Sequence, residues 1–219
     1  MRLSMVSYHS LGHGAGHTGV AVLRELAQAV SALAQDGHEM TWLTSSDILH
    51  LPLPALHPEQ IEELPVTCRD VVPCQIYRLA GALVIGVEAL VWQRPDLHTR
   101  LFTLLCLLHR ELGWQVMHAW GELAALFLGV YTACFVGVPA VVSYGSHRRS
   151  EEEADSWQWH WVQQHLAAAL VSSGREREVL CRTGMDPALT RMYAPAAMGV
   201  VPELRALYQA LTNTGVVAR

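Results

Sequence analysis

Gly14-Ala15-Gly16-His17-Thr18-Gly19 stands between an apolar stretch, Leu3–Tyr8, and a helical pattern that starts near Thr18. Glycines in such a loop let the backbone approach a ligand closely. Free N–H groups at the helix start attract phosphate. A dinucleotide site sets its first glycine at the very end of the strand and an acid about 20 residues further on. Here His9 to His13 intervene, and the acid that closes the next strand, Asp47, lies 33 residues after Gly14. Both spacings are wrong for a nicotinamide site, which leaves a phosphate-proximal loop or a structural turn. His13 and His17 have the spacing of a metal pair, but Gly14 and Gly16 oppose the helix it needs, so no metal is expected.

All 15 basic residues are arginines. A P-loop lysine, a Schiff-base lysine and a lysine general base are therefore excluded. Any bound anion must be held by Arg, by His or by backbone amides. His147-Arg148-Arg149 is the best side-chain candidate, because guanidinium forks match phosphate or carboxylate; the alternative is a solvated turn before Glu151-Glu152-Glu153. Those three acids suit a helix start. His118 is read as the last residue of a strand, either contacting a ligand or buried and hydrogen-bonded. Trp157, Trp159 and Trp161 sit on one helix, with Trp157 and Trp161 on one face and Trp159 pointing away. That arrangement is hard to bury in one core and reads as a partner interface.

Strands and helices alternate around these residues. Strands are expected at Leu3–Tyr8, Glu39–Thr44, Cys74–Arg78, Trp114–His118, Ala140–Tyr144, Ala168–Ser172 and Thr190–Tyr193. Helices are expected at Thr18–Gln35, Pro95–Leu112, Glu122–Val136, Glu151–His165, Arg175–Arg182 and Pro202–Leu211, with Ser172 or Ser173 capping the fifth. Leu79 to Trp92 reads as a core or interface helix, and residues 48–66, with four prolines, as loop. Strands separated by helices throughout imply an α/β, Rossmann-like three-layer sandwich around a mostly parallel sheet. Residues 1–195 form the domain, and 196–219 a connector and C-terminal helix.

The 219 residues are 51% apolar and 16% charged, which excludes bulk disorder. A net charge of −5 argues against nucleic acid or an anionic membrane as a partner bound through bulk electrostatics. Five dispersed cysteines without C-x-x-C fit neither a disulfide scaffold nor a zinc ribbon, and place the chain in a reducing, cytoplasmic setting. Leu123 to Tyr144 carries no charge, yet Gly137-Val138-Pro139 divides it into a buried helix and a buried strand, so no membrane span is expected.

Four stretches, in order, resemble the N-terminal domain of a family 4, GT-B-type glycosyltransferase. They are the glycine loop running into "LRELAQAVSALAQDGHEMTWLTS"; Gln115 to Gly121, similar to "DVVHAHG"; "VGVPAVVSYGS", similar to "lgvPlVvTyHg"; and "AAALVSSGREREVLCRTGMDPALTRMYAP", similar to "aDrviavSeaereeLlrlGvpperirvIPNG". The resemblance implies an acceptor-binding half. Gly14, Gly16, His17, Thr18 and Gly19 would lie near the donor phosphates, and His118, Trp120, Tyr144 and Arg148 would line the acceptor pocket. The family's donor domain and its glutamates eight apart have no counterpart here, and Gly145 occupies the position of the histidine in "TyHg", with His147 two residues on. His118 and His147 remain the candidate catalytic residues.

The expected function is therefore sugar transfer from a nucleotide-sugar co-substrate to a sugar, lipid or small-molecule acceptor. It requires completion by a separate donor-binding subunit or a C-terminal domain, and no further cofactor. The alternative is a non-catalytic binding or scaffold protein, assembling, as a homo-oligomer or with another chain, through Trp157, Trp159 and Trp161.

Overall fold

A computed structural model describes residues 1–8, 18–47, 70–144, 156–193 and 200–214. Eight strands form one sheet: β1 Arg2–Tyr8, β2 Glu39–Ser45, β3 Cys74–Leu79, β4 Ala82–Val87, β5 Val116–Gly121, β6 Ala140–Tyr144, β7 Ala168–Val171 and β8 Thr190–Met192. The described helices are α1 Thr18–Gln35, α2 Ala89–Gln93, α3 His98–Leu112, α4 Leu123–Val136, α5 Trp157–His165, α6 Gly174–Arg182 and α7 Val200–Thr214, with 3-10 turns at Pro95–Leu97 and Pro187–Leu189.

The strand order is β3-β4-β2-β1-β5-β6-β7-β8, parallel except for β3 against β4. That exception corrects the helix expected over Leu79 to Trp92. Ala80 (φ 50°) and Gly81 (φ 93°) both lie in the left-handed region, which builds a two-residue hairpin joining Leu79 to Ala82. An apolar run of strand length does not declare its period when both of its faces are buried. Only Ala89–Gln93 of that stretch is helical. The fourth expected strand is also displaced. It runs Val116–Gly121, so His118 sits mid-strand, paired with Met5 on one side and Val141 on the other.

Two cores result from the alternation of side chains along each strand. On one face, Val6, Leu43, Ile85, Met117, Ala119 and Val142 pack beneath α3, α4 and α5. On the other, Met5, Trp42, Val84, Trp120, Val141 and Leu170 pack beneath α1 and α7. Helix α4 approaches β5 so closely that a Cβ on Gly129 would lie 2.7 Å from the Ala119 Cβ. Glycine at 129 and alanine at 119 are what let the helix sit down on the sheet. Helix α4 ends at Gly137, as the sequence predicts, and α7 lies against α1 and the sheet, tied to α1's end by an Arg205–Asp36 ion pair. No described helix is long and apolar enough to cross a membrane.

Candidate functional site at the carboxyl ends of the strands

From β1 the chain moves one way through β2 and β4, then crosses to β5 on the other side of β1. At such a switch point the connections leave toward opposite faces and open a crevice beyond the strand ends. Tyr8 ends β1 here, and Gly121 ends β5 beside it. The Glu122 N–H donates to the Tyr8 carbonyl, and Glu122 stands at the N-cap of α4. Tyr8 stacks on Trp92 with centroids 5.4 Å apart, and its hydroxyl accepts from Gln93 Nε2 at 2.9 Å. Burial raises the Tyr8 phenol. The Gln93 bond pulls the other way, and the nearby carboxylates of Glu122 and Asp47 add to the rise. Carboxylates following β2 and β5 are thus near enough to act on this phenol through charge.

The other face contributes Tyr193, just beyond β8. Its ring meets Trp120 edge-on at 6.2 Å, and burial, with Glu25 and Glu176 nearby, raises its phenol. Glu25 itself is raised by burial, and its buried Oε1 has no hydrogen-bond partner among the described residues. Glu176 has a structural duty. Ser173 caps α6 by accepting from the Glu176 N–H, while Glu176 Oε2 accepts from the Ser172 N–H at 2.6 Å and Oε1 from the Ser172 hydroxyl at 2.8 Å. This is the reciprocal capping arrangement shifted by one residue.

His118 is a core residue, 1% exposed. Its Nδ1 lies 2.5 Å from the Tyr208 hydroxyl of α7 and its Nε2 lies 2.8 Å from Ser143 Oγ of β6. A hydroxyl on each side can donate or accept, so either neutral tautomer is satisfied. Burial pushes its pKa down to about 3. With both nitrogens engaged and water excluded, His118 takes the buried, hydrogen-bonded role and is closed to an acceptor. Trp120 is buried as well, stacked on His118 at 5.5 Å. Tyr144 is the last residue of β6. Thr18 and Gly19 open α1. Gly14, Gly16, His17, His147 and Arg148 lie outside the described residues, as does His13. Among the described residues, no three His, Cys, Asp or Glu side chains are grouped to hold a metal ion.

The three tryptophans separate. Trp159 points into the core, 1% exposed, whereas Trp157 is 65% exposed. Trp161 is half-buried against Phe127 and Tyr131. The aromatic surface this helix offers is therefore made by Trp157 and Trp161. Tyr8, Gln93 and Glu122 were absent from the candidates drawn from sequence. Tyr8 and Glu122 are polar groups at the ends of buried strands, a signal legible only once the strand order is known. Glu25 carries no such signal, because it flanks the apolar stripe of α1.

No protein-family model matches the sequence, and no curated protein does. Solved structures do match in fold. A UDP-N-acetylglucosamine 2-epimerase from Rickettsia bellii aligns with a TM-score of 0.57 at 9% identity, over 96% of this chain and 48% of its own. The UDP-GlcNAc 2-epimerase of Methanocaldococcus jannaschii aligns at 0.54 and 9% identity, over 88% and 45%. A sucrose-phosphate synthase structure from Thermosynechococcus elongatus aligns at 0.54 and 14% identity, over 94% of this chain and 98% of that one. The chain thus spans just under half of the epimerase chains, and what it shares with these proteins is the fold, a Rossmann-like α/β architecture.

Proposed function

We propose that this chain is the acceptor-side half of a GT-B-type glycosyl-transfer enzyme. It acts when a donor-binding half, on a partner chain or a further domain, closes over the carboxyl ends of the strands. The observation that carries this reading is the reversal of strand order between β1 and β5. It sets a crevice at the end of β1, where the glycine loop also begins. The UDP-sugar epimerases and the sucrose-phosphate synthase of like fold support a nucleotide-sugar as the co-substrate.

In a chain without lysine, the donor phosphates fall to the amides of Gly14, Gly16 and Gly19, the Thr18 hydroxyl, His17 and the Arg148 guanidinium. The acceptor hydroxyl attacks the anomeric carbon, and the bond from that carbon to the phosphate oxygen breaks. The nucleoside diphosphate leaves, and the acceptor proton passes to a base. Glu122 and Asp47, beside Tyr8, suit that base better than His118, whose nitrogens are both occupied.

The reading is tested by titrating UDP and UDP-GlcNAc, with NAD as control, into 15N-labelled protein to roughly 10 mM, a range that detects millimolar binding. Saturable shifts at the Gly14–Gly19 amides that weaken in Arg148→Ala are expected. Silence toward both uridine ligands removes the reading. A second reading, a non-catalytic binding protein that keeps the fold, draws on the exposure of Trp157. It predicts that same silence together with an intact assembly.

A further inference from the structure

Six aromatic side chains form one ridge across the outer surface of α3, α4 and α5. Phe102 of α3 meets Phe135 and Tyr131 of α4 edge-on, each at 5.2 Å. Tyr131 stacks on Phe127 at 5.7 Å, and Phe127 meets Trp157 and Trp161 of α5 at 5.3 and 5.5 Å. The ring of His165 lies flat against Trp161 at 4.0 Å. Each ring touches at least one other, which limits the side-chain freedom to be lost on contact. Yet Phe135 is 69% exposed, Trp157 65% and Tyr131 43%.

We propose that this ridge is the face on which two copies of the chain pair. Two observations select a second copy as the occupant. The first is charge. Neither α4 nor α5 contains an Asp, Glu, Lys or Arg, and the charges of α3 are Arg100 and the ion-paired Arg110 and Glu111, although the whole chain carries a net charge of −5. A twofold contact sets a face against itself, so a charged face repels its copy and an uncharged one does not. A strongly charged partner or an anionic vesicle finds no counter-charge on these two helices. The second is area. A fully buried aromatic side chain covers about 150–250 Å². The exposed parts of Phe135, Trp157 and Tyr131 therefore amount to roughly 350 Å², near half of the ~800 Å² that a standard interface takes from each partner. The half-buried Phe102, Phe127 and Trp161 extend the same surface. The ridge lies on the outer surface of the helices, and Tyr131 and Phe135 lie in the second half of α4, away from its start at Glu122, so the pairing is proposed independently of sugar transfer under either reading above.

The test is the mass in solution of the purified chain at roughly 50 µM, where a micromolar dimer is mostly associated. The wild type is expected at twice 24.2 kDa. The double variant Tyr131→Ser with Phe135→Ser is expected at 24.2 kDa with its circular dichroism retained and a lowered melting temperature, because the dimer is lost and the 43% exposed Tyr131 ring also packs on Phe102, Phe127 and Trp161. Leu90→Ser, which removes a 55% exposed apolar side chain outside the ridge, should leave the dimer intact. A monomeric wild type overturns the proposal, as does a dimer that survives the double variant. A wild-type monomer that floats with phosphatidylcholine vesicles also overturns it, and reassigns the ridge to a membrane surface.

Discussion

The two faces of the sheet are held by different chemistry. Beneath α3, α4 and α5 the contacts are mainly of volume, alongside the buried bond from Trp114 Nε1 to Thr41 Oγ1 at 3.2 Å: Leu101, Leu104, Leu105, Leu108, Leu126 and Val130 are buried against strand residues with Gly129 seated on Ala119. Beneath α1 and α7 the core contains polar side chains joined in chains. Trp42 Nε1 donates to Ser7 Oγ at 2.8 Å, and the Ser7 hydroxyl donates to Thr44 Oγ1 at 3.1 Å. Tyr208, His118 and Ser143 form a second chain from α7 across β5 to β6. Close packing tolerates small slips between similar shapes, whereas a hydrogen bond has direction and an orphaned partner is costly. Of the described helices α1 and α7 cover that face, and directional contacts fix where α7 docks.

Volume on the first face is broken most directly at its tightest point. Gly129→Val adds a branched side chain where even a Cβ would lie 2.7 Å from Ala119. The obstructing atoms sit on a strand buried between two neighbours, so neither side yields cheaply. The expected loss is about 3 kcal/mol in urea unfolding, at the upper end for an overpacked core. A loss under about 1 kcal/mol would mean that this face deforms readily and that the contrast between the faces is wrong.

Directional chemistry on the second face has a pH signature. His118 has a folded pKa pushed down to about 3, against about 6.5 when unfolded. Below pH 6.5 the unfolded chain binds a proton that the native state refuses, so stability falls as pH drops from 6.5 toward 3 and is fully present above 6.5. From pH 6.5 to 5 this one group should cost roughly 1.5 kcal/mol. Burial also lowers His38 and His109, so the wild-type slope has several sources. The difference between the wild type and His118→Gln isolates the one in the network. Parallel pH profiles would show that His118 is not held neutral in the core.

Much of this architecture was legible because buried strands and amphipathic helices have different periods. Seven of the eight strands fall where sequence places them, within a few residues. The eighth, Ala82–Val87, was hidden because its residues are buried on both sides and show no alternation, and because Ala80 is an unusual occupant of a left-handed turn. The site was less legible. Strand order assembles Tyr8, Asp47 and Glu122 from segments far apart in sequence, and no local pattern encodes that order. In the sequence His118 is a polar residue at the end of the expected strand Trp114–His118. Three more residues of strand moved it to the interior, where Tyr208, 90 residues away, completes its bonding.

The finest test of the contrast deletes one hydroxyl from each face. Ser7→Ala removes the middle of a chain, leaving the Trp42 indole N–H without its acceptor and Thr44 without its donor, in a fully buried site. The expected loss is about 1–2 kcal/mol, the cost of orphaned buried groups rather than of a single net bond. Thr132→Val, equally buried within α4, removes a hydroxyl that only donates back to the Leu128 carbonyl one turn earlier. That carbonyl keeps its helical partner and the methyl group fills the same volume, so the change should stay within about 0.5 kcal/mol. Both unfolding curves should be measured at one pH above 6.5, where His118 contributes no slope. Equal losses at the two positions would mean that a hydroxyl is worth the same on either face. The polar chains beneath α1 and α7 would then be incidental to how the terminal helix docks.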